Sequence, residues 1–434
     1  MDTRSEETVT VPDNQTPTLQ EKANPQPAAP AGPDPASFPD GGLRAWLVVL
    51  GGFCTIFASF GWINCIGIFQ AYYSENQLQS YSLSTIAWIT STEACLMFLC
   101  GPFVGMLTDQ YGPRVPIAIG SVLHMFGLMM LSLSKEYYQI FLAQSICSAI
   151  GCSFLFFPAV TAAASWFLRH RALAIGIMVS GSSIGGVILP IVVNELVGSI
   201  GFGWTIRVVA FIILGMLIVG NLALKSRLPP SKRRVTLKDF LTPYTEPTFL
   251  LLTIAGFLTY LGGFLPFNFI IVEARANGMS ENLAFYLVAI VNASSTFGRI
   301  VPAHFGDKYG VFNVFIVMTG LGGIFTLGVW LGAQSDAGVI AYAVLYGFTS
   351  GCTFSIVPAM VASISDIRQL GARNGSLYAV SSIGALVGSP IAGAISETSL
   401  SNLIIFCGVL ILAGTGVAIL SRIKITGFKF LVKA

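Results

Sequence analysis

Long apolar runs alternate with short polar breaks along nearly the whole chain. Each run has about 20 residues, the length that a helix needs to cross the ~30 Å hydrocarbon core of a membrane. A porin-type barrel would need shorter segments of alternating polarity, and the sequence shows none. The pattern predicts twelve membrane-spanning helices at about 45–72, 85–107, 115–133, 138–166, 172–194, 205–224, 248–272, 283–302, 313–331, 338–362, 374–394 and 403–421.

Composition supports an integral membrane protein. Hydrophobic residues make up 54% of the 434 residues and charged residues only 10%, against about 25% charged in soluble domains. Residues 1–40 differ, because they are rich in Pro, Gln, Ala and acidic residues and contain almost no aliphatic side chains. Such a segment cannot bury enough apolar surface to fold alone, so we expect a disordered tail. It does not resemble a secretory signal peptide.

Arginine and lysine are distributed unevenly over the polar breaks. The two tails and the breaks after even-numbered helices carry most of these residues, whereas the opposite side carries only Lys135, Arg207 and Arg275. Cytoplasmic loops of membrane proteins are enriched in positive charge. Both termini are therefore predicted to be cytoplasmic.

Three short patterns recur at nearly one offset. "GCSFLFFPAV" at 151–160 returns as "GCTFSIVPAM" at 351–360, and "SSIG" at Ser182 returns at Ser381. "GMLTDQYG" also resembles "AHFGDKYG", with Asp109 and Asp307 198 residues apart. Three repeats in register predict two parallel six-helix halves with a substrate site between them near the membrane midplane.

The repeats and the tails together predict the domain organisation. The expected segments are a cytoplasmic tail at 1–40, an N-terminal half at 41–224, a cytoplasmic linker at 225–247, a C-terminal half at 248–422 and a second cytoplasmic tail at 423–434.

Three stretches resemble known transporters. "GPFVGMLTDQYGPR" at 101–114 is similar to the loop motif between helices 2 and 3 of the major facilitator superfamily. "PDGGLRAWLVVLGGF" at 39–53 and "SWFLRHRALAIGIMVSGSSIGG" at 165–186 resemble the starts of helices 1 and 5 in monocarboxylate-porter-like transporters, and the short tail and "PDGG" spelling resemble the fungal branch. The resemblance implies an all-α major facilitator fold.

The loop motif implies a cytoplasmic gate. Gly105, Asp109, Gly112 and Arg114 occupy its positions. Glycines allow helices and a tight turn to approach closely, and Asp109 with Arg114 would form charge pairs that hold the gate closed. The predicted gate also contains Arg169 and Arg171 before helix 5 and Asp307 after helix 8.

Arg299 is the most conspicuous charge within an apolar run. It lies about 12 Å inside the cytoplasmic end of helix 8 at 1.5 Å per residue. A charge at this depth must face water or protein. The resemblance implies contact with a substrate carboxylate, and membership of the gate network with Asp307 is the alternative. Ser295 and Asn64 stand where animal proton-coupled carriers have an aspartate and a lysine. Lactate-like proton symport is therefore not expected, and the site suits a larger or less charged molecule.

Glu93 is the only carboxylate deep within a predicted span. Burial favours the neutral form of a carboxyl group, so Glu93 is a candidate for proton coupling. The alternative is a structural carboxyl group that is hydrogen-bonded to a neighbour on helix 4 or helix 11.

Helices 1, 4, 7 and 10 line the cavity in the family that the chain resembles. Flat aromatic faces with orienting amides are typical of small-molecule sites. The candidate substrate-binding residues are Trp62, Asn64, Gln144, Tyr260, Asn268, Arg299 and Tyr346.

The sequence disfavours several other classes of protein. A pump would need a GxxxxGK[ST] phosphate loop, and an enzyme would need a convergent catalytic or metal cluster; neither pattern occurs, and no cofactor, metal or nucleic-acid partner is expected. We predict a monomeric secondary transporter of the plasma membrane that moves a small organic solute, a carboxylate or a secondary metabolite, by alternating access. A nontransporting receptor on the same fold and a nutrient or vitamin uptake carrier are the alternatives.

Overall fold

A computed structural model describes residue 2, residues 38–228, residues 237–429 and residue 432. The chain divides into Met1–Ser37 and Phe38–Ala434, and the fold described below is that of the second unit. The predicted disordered tail thus lies almost entirely outside the described residues, as does the middle of the predicted linker. The described part is helical throughout, with no strand in residues 38–228 or 237–429.

The N-terminal half contains six helices. Two of them are interrupted, α1 at Asn64 and Cys65 and α2 at Cys100. The bounds are Leu43–Ile63 and Ile66–Glu75 for α1, Leu83–Leu99 and Gly101–Tyr111 for α2, Arg114–Leu131 for α3, Tyr137–Ile140 with the π-helical Phe141–Ser148 and Ala149–Trp166 for α4, and Arg171–Ala223 for α5 and α6 together.

The C-terminal half also contains six helices. Short helices at Leu237–Leu241 and Thr242–Thr245 precede it, and Ile367–Gln369 precedes α11. The bounds are Pro247–Gly263 and Leu265–Ala276 for α7, Glu281–Tyr309 for α8, Val311–Phe325 with the π-helical Thr326–Trp330 for α9, Asp336–Ser363 for α10, Leu370–Thr398 for α11 and Leu400–Thr426 for α12.

The helical stretch Arg171–Ala223 accounts for two membrane spans. It has 53 residues, about 80 Å of helix and more than twice the thickness of a bilayer core. Gly201 interrupts it with φ 76°, a conformation that glycine adopts at little cost. Residues 171–200 therefore form α5 and residues 202–223 form α6. Eleven continuous segments of the described chain are long and apolar enough to span a membrane, and this break makes twelve spans.

Helix boundaries differ from the predicted ones in a systematic way. Serine side chains cap α2, α8, α10 and α12 by accepting a hydrogen bond from a first-turn backbone N–H. Each of these helices therefore begins two or three residues before its apolar run. Gly112 and Gly310, with φ 76° and 98°, follow the ends of α2 and α8. The end of α12 at Thr426 lies past the predicted tail boundary at 423.

The two halves contact each other along two helix pairs, α5 with α8 and α2 with α11. A Cβ atom on Gly176 would lie 2.3 Å from the carbonyl oxygen of Arg299, and one on Gly105 would lie 2.0 Å from that of Gly371. Only glycine permits such close backbone approach. Both contacts lie toward the end that carries the termini, which we call the cytoplasmic end in accordance with the charge distribution.

Candidate functional site

A buried hydrogen-bond network surrounds Glu93 in the N-terminal half. The indole nitrogen of Trp62 donates to Oε1 of Glu93 at 2.7 Å, and the amide nitrogen of Gln144 donates to Oε2 at 2.8 Å. The hydroxyl of Tyr73 donates to Oε1 of Gln144 at 2.7 Å. All four side chains are buried. The network joins α1, α2 and α4, and it brings three of the predicted residues together.

Gln144 reaches Glu93 from an irregular stretch of backbone. It lies within the π-helical segment Phe141–Ser148 of α4, and such segments occur frequently at functional sites. Within the described residues Glu93 has no ion-pair partner. Each of its oxygens faces a group that donates, so the network stabilises the carboxylate, and protonation must use a remaining lone pair. Tyr73 was not predicted, because it lies just beyond the predicted end of the first span at residue 72.

His124 lies beside this network and is fully buried. Its Nε2 is 3.1 Å from the carbonyl oxygen of Ala58, and its Nδ1 is 2.9 Å from the hydroxyl of Ser148. Since a carbonyl only accepts, Nε2 carries the proton and Nδ1 accepts from the hydroxyl. Both ring nitrogens thus have partners within the N-terminal half, and His124 packs between α1, α3 and α4.

A polar seam runs between α5 and α8, where the two halves meet. The Nδ2 of Asn64 donates to the carbonyl oxygen of Ser182 at 3.0 Å and to Oδ1 of Asn292 at 3.4 Å. The hydroxyls of Ser183 and Ser295 are 2.5 Å apart. Asn64 and Ser295 therefore both lie in this seam, where their side chains bond to neutral groups.

Arg299 lies in the same seam with only 3% of its surface exposed. Its Nη1 donates to the carbonyl oxygen of Val179 at 2.7 Å and to the hydroxyl of Ser182. Its Nε has no hydrogen-bond partner among the described residues, and its charge interacts electrostatically with Tyr260 and Tyr378. Buried charges in proteins are normally paired with an opposite charge. Within the described residues the guanidinium has no carboxylate partner.

An aromatic cluster fills the centre of the molecule beside Arg299. Phe98 of α2 stacks on Tyr378 of α11 with ring centroids 5.2 Å apart, and Phe156 of α4 lies 5.6 Å from Tyr378. Tyr260 of α7 contacts Phe98 at 5.7 Å and Phe354 of α10 at 5.0 Å. These five rings, here called the central aromatic cluster, join the two halves. Only Tyr260 among them was predicted.

The remaining predicted substrate-binding residues have other partners. The hydroxyl of Tyr346 donates to the carbonyl oxygen of Gly263, and its ring stacks with Tyr342 inside the C-terminal half. Asn268 is exposed and donates to the hydroxyl of Ser389 at 2.8 Å, between α7 and α11. Tyr346 thus supports α7 from behind the central cluster, and Asn268 joins two helices of one half.

Two matching contacts join the halves at the predicted gate. Asp307 at the end of α8 accepts hydrogen bonds from the backbone nitrogens of Ala172 and Leu173 at 2.8 and 2.9 Å. Asp109 at the end of α2 accepts from those of Gly371 and Ala372 at 3.1 and 2.9 Å. Each carboxylate therefore caps the first turn of a helix in the opposite half, where the helix dipole also favours negative charge.

The prediction that Asp109 forms a charge pair with Arg114 is therefore wrong. Arg114 is exposed at the start of α3, and no ion pair links it to Asp109 in the described structure. The prediction failed because it considered side-chain charges and overlooked the unpaired N–H groups at helix starts. Within the described residues no ion pair links Arg299 directly to Asp307, and Arg299 bonds instead to Val179 and Ser182 of the opposite half.

Arg169 and Arg171 take different parts at the start of α5. The backbone nitrogen of Arg169 donates to Asp40 at 2.7 Å. The side chain of Arg171 donates to the carbonyl oxygens of Phe167 at 2.9 Å and of Ala362, in the opposite half, at 3.4 Å. Hydrogen bonds and close approaches between the halves thus extend from the cytoplasmic end to Asn292, and the cytoplasmic end is closed.

The protein has two similar helical halves that hydrogen bonds join at one end. Such bonds can break and reform as the halves move, and this architecture is that of a secondary transporter of the alternating-access class. The sequence profile of the Major Facilitator Superfamily matches residues 51–301 and 252–425. The chain belongs to this superfamily and is a membrane transporter of small organic solutes.

Relatives with known names agree with this assignment. The chain is 48% identical to "MFS-type transporter 1" of Ophiocordyceps sp., over 92% of this chain and 90% of the relative. It is 42% identical to the "Fujikurins efflux protein" of Gibberella fujikuroi, over 91% of this chain and 86% of the relative. Neither name supports the receptor alternative.

The fold is also that of a solved transporter. The crystal structure of the human organic anion transporter MFSD10 matches with a TM-score of 0.69, over 86% of this chain and 98% of that one. The sequence identity is 14%, so the likeness concerns the fold alone.

Proposed function

We propose that the chain exports a secondary metabolite that combines an anionic group with a flat conjugated or aromatic part. The observation that carries the proposal is Arg299, a buried guanidinium with an unbonded Nε and without a carboxylate partner in the described residues. An anionic substrate would supply the missing charge, and a guanidinium can bind a carboxylate or enolate through two parallel hydrogen bonds.

The central aromatic cluster supports the second part of this proposal. Tyr260 and Tyr378 belong to the cluster, contact each other with ring centroids 5.8 Å apart, and both interact electrostatically with Arg299. Flat substrate rings stack favourably on aromatic side chains. A relative that is 42% identical is named for the efflux of fujikurins, which makes export the direction to test first.

We further propose that the chain belongs to the monocarboxylate-porter-like family, is monomeric and lies in the plasma membrane. Two stretches that carry the family resemblance contact each other, since Asp40 of "PDGG" accepts hydrogen bonds from Leu168 and Arg169 of "SWFLRHRA". A contact between the two motifs gives a structural reason for both to occur in one chain.

A substitution of Arg299 tests the anion site. Purified full-length protein in proteoliposomes would be assayed by counterflow with fujikurins and with paired aromatic acids and their neutral amides. Arg299→Gln removes the positive charge, and we expect transport of acids to fall by roughly 10-fold or more while transport of amides changes little.

Arg275→Gln is the matched control, because Arg275 forms an exposed ion pair with Glu281 at 3.0 Å. Arg299→Lys keeps the charge and loses the planar geometry, so acid transport should be partly retained. Equal loss of acid and amide transport in Arg299→Gln would show that Arg299 does not select the anion.

Glu93 is proposed to couple export to proton entry. It is buried on α2, five residues before Phe98 of the central cluster, and proton binding would change its bonds to Trp62 and Gln144. In Glu93→Gln we expect a pH gradient to lose its effect on accumulation while counterflow continues, since exchange requires no net proton movement. Glu195→Gln, at an exposed position on α5, is the control. Full pH-driven accumulation in Glu93→Gln would exclude this role.

A further inference from the structure

A short segment before α1, Phe38 to Gly42, is bound to the loop between α4 and α5. The carboxylate oxygen Oδ1 of Asp40 accepts hydrogen bonds from the backbone nitrogens of Leu168 and Arg169 at 2.6 and 2.7 Å. The nitrogen of Asp40 donates to the carbonyl oxygen of Trp166 at 3.2 Å. Asp40 has φ 47°, a left-handed conformation that Asp tolerates better than most residues. We call Phe38 to Gly42 the strap.

The strap places the ring of Phe38 between two arginines. The guanidinium of Arg227 lies 4.4 Å from the ring centroid and that of Arg171 lies 5.8 Å from it, both within the range of cation–π attraction. Arg227 is held in turn by the carbonyl oxygen of Ser165, to which its Nε donates at 2.8 Å. Phe38 therefore lies between Arg227, which follows α6 and is bonded to the end of α4, and Arg171 at the start of α5.

Arg171 connects the strap to the gate. Its Nη1 reaches the carbonyl oxygen of Ala362 in the opposite half, and it directly precedes Ala172 and Leu173, whose nitrogens bond to Asp307. The strap, the carboxylate from α8 and the carbonyl from the end of α10 therefore all act on the first turn of α5.

We propose that the strap is a conformational device that stabilises the closed cytoplasmic gate, and that Phe38 acts as a positioning residue for Arg171. The ring limits where the guanidinium can lie and directs it toward Ala362. When the gate opens, Arg171 loses Ala362 and the first turn of α5 loses Asp307, whereas the contact with Phe38 remains within one half. Removal of the ring leaves Arg171 without this guide and thereby weakens its contact with Ala362, which crosses between the halves.

Hydrogen–deuterium exchange of the full-length protein in lipid nanodiscs tests the proposal without any substrate. Two peptides serve as readouts, one with Ala172 and Leu173 and one with Gly371 and Ala372. The second pair bonds to Asp109, on the other gate contact. In Phe38→Ala we expect both peptides to exchange roughly 3-fold faster or more, because Arg171 is no longer directed toward Ala362 and the closed gate loses that contact.

Phe38→Tyr keeps the aromatic face and should exchange like the unmodified protein. Phe428→Ala removes a phenylalanine that is 78% exposed near the end of α12, and it should also have no effect. Asp40→Ala, which removes the acceptor of both backbone N–H groups, is a second test of the strap if Phe38→Ala folds poorly, and it should accelerate both peptides. Unchanged exchange in both peptides, or acceleration at Ala172 and Leu173 alone, would overturn the proposal, since the second result would show local loosening only.

Discussion

Each of the two gate contacts is made by an aspartate carboxylate, but the arginines beside them differ in position and partners. Asp307 caps α5 and Asp109 caps α11, each through two backbone N–H groups of the opposite half. Arg171 stands one position before the first bonded nitrogen on α5, and Arg373 stands two positions after the first bonded nitrogen on α11. The second arginine is thus three residues, about 4.5 Å, farther into its helix.

This displacement changes the partners of the two arginines. Arg171 at the edge of α5 reaches Ala362 in the opposite half. Arg373 forms an ion pair with Glu246 and lies 5.0 Å from the ring of Phe249, both at the start of α7 in its own half. One arginine therefore contributes to the gate and the other to the C-terminal half. The duplicated carboxylates carry the symmetric part of the gate, and the arginines make it asymmetric.

The largest expected effect comes from the glycines that let the halves close. In Gly105→Ala the new Cβ would lie 2.0 Å from the carbonyl oxygen of Gly371, and in Gly176→Ala it would lie 2.3 Å from that of Arg299. Overpacking against backbone costs typically about 1–3 kcal/mol or more. Each substitution should open the gate, measured as faster hydrogen exchange at Ala172, Leu173, Gly371 and Ala372. Gly416→Ala, where a Cβ meets no atom within 4 Å, is the control, and protected amides in Gly105→Ala would contradict this account of the closed state.

Removal of either carboxylate comes next in size. Asp109→Ala and Asp307→Ala each free two backbone N–H groups at a helix start, at a cost of about 1–3 kcal/mol. If the gate is a symmetric pair, the two variants should accelerate exchange at both helix starts to a similar degree. A cytoplasmic cysteine-accessibility assay on the same variants provides an independent measure. A large effect from one variant beside a negligible effect from the other would show that only one contact closes the gate.

Alanine substitutions of the two arginines should have different effects, one on gating and the other on stability. Arg171→Ala should accelerate exchange at both gate contacts, by loss of the bond to Ala362. Arg373→Ala should lower the melting temperature and leave the gate amides protected, because its partners lie in its own half. Differential scanning fluorimetry and hydrogen exchange on both variants distinguish stability from gating. If Arg373→Ala opened the gate as Arg171→Ala does, the proposed division between the arginines would be wrong.

The sequence was sufficient for the helices and for the isolated charges. Apolar runs of membrane length predict spans regardless of tertiary contacts, and an ionisable group within such a run is conspicuous because it is costly there. For these reasons the sequence alone points to Glu93 and Arg299, and their surroundings in the structure give each a testable role. The serine caps moved several helix starts outward, since a cap requires only local backbone geometry.

The central aromatic cluster could not be selected in the same way. The chain has 32 phenylalanines, and Phe98 and Phe156 lie in apolar runs where a phenylalanine carries no local signal. What distinguishes them is contact with Tyr378 on the opposite half. Phe156 and Phe354 both lie in the repeated decapeptides, but at different positions of the repeat, since Phe354 corresponds to Phe154 and Phe156 corresponds to Ile356. The repeat therefore gives no signal for the cluster.

The smallest expected effect concerns the ion pair between Arg373 and Glu246. The side chain of Arg373 is 9% exposed and that of Glu246 is 46% exposed, so solvent screens the pair and limits its contribution. Glu246→Gln keeps an acceptor oxygen for the guanidinium and should cost only about 0.5–1 kcal/mol. Glu246→Ala leaves Arg373 without its acceptor and should lower the melting temperature further. Because both changes lie within one half, exchange at Ala172 and Leu173 should stay at the level of the unmodified protein. Faster exchange there in Glu246→Ala would mean that the stability of the C-terminal half is itself transmitted to the gate.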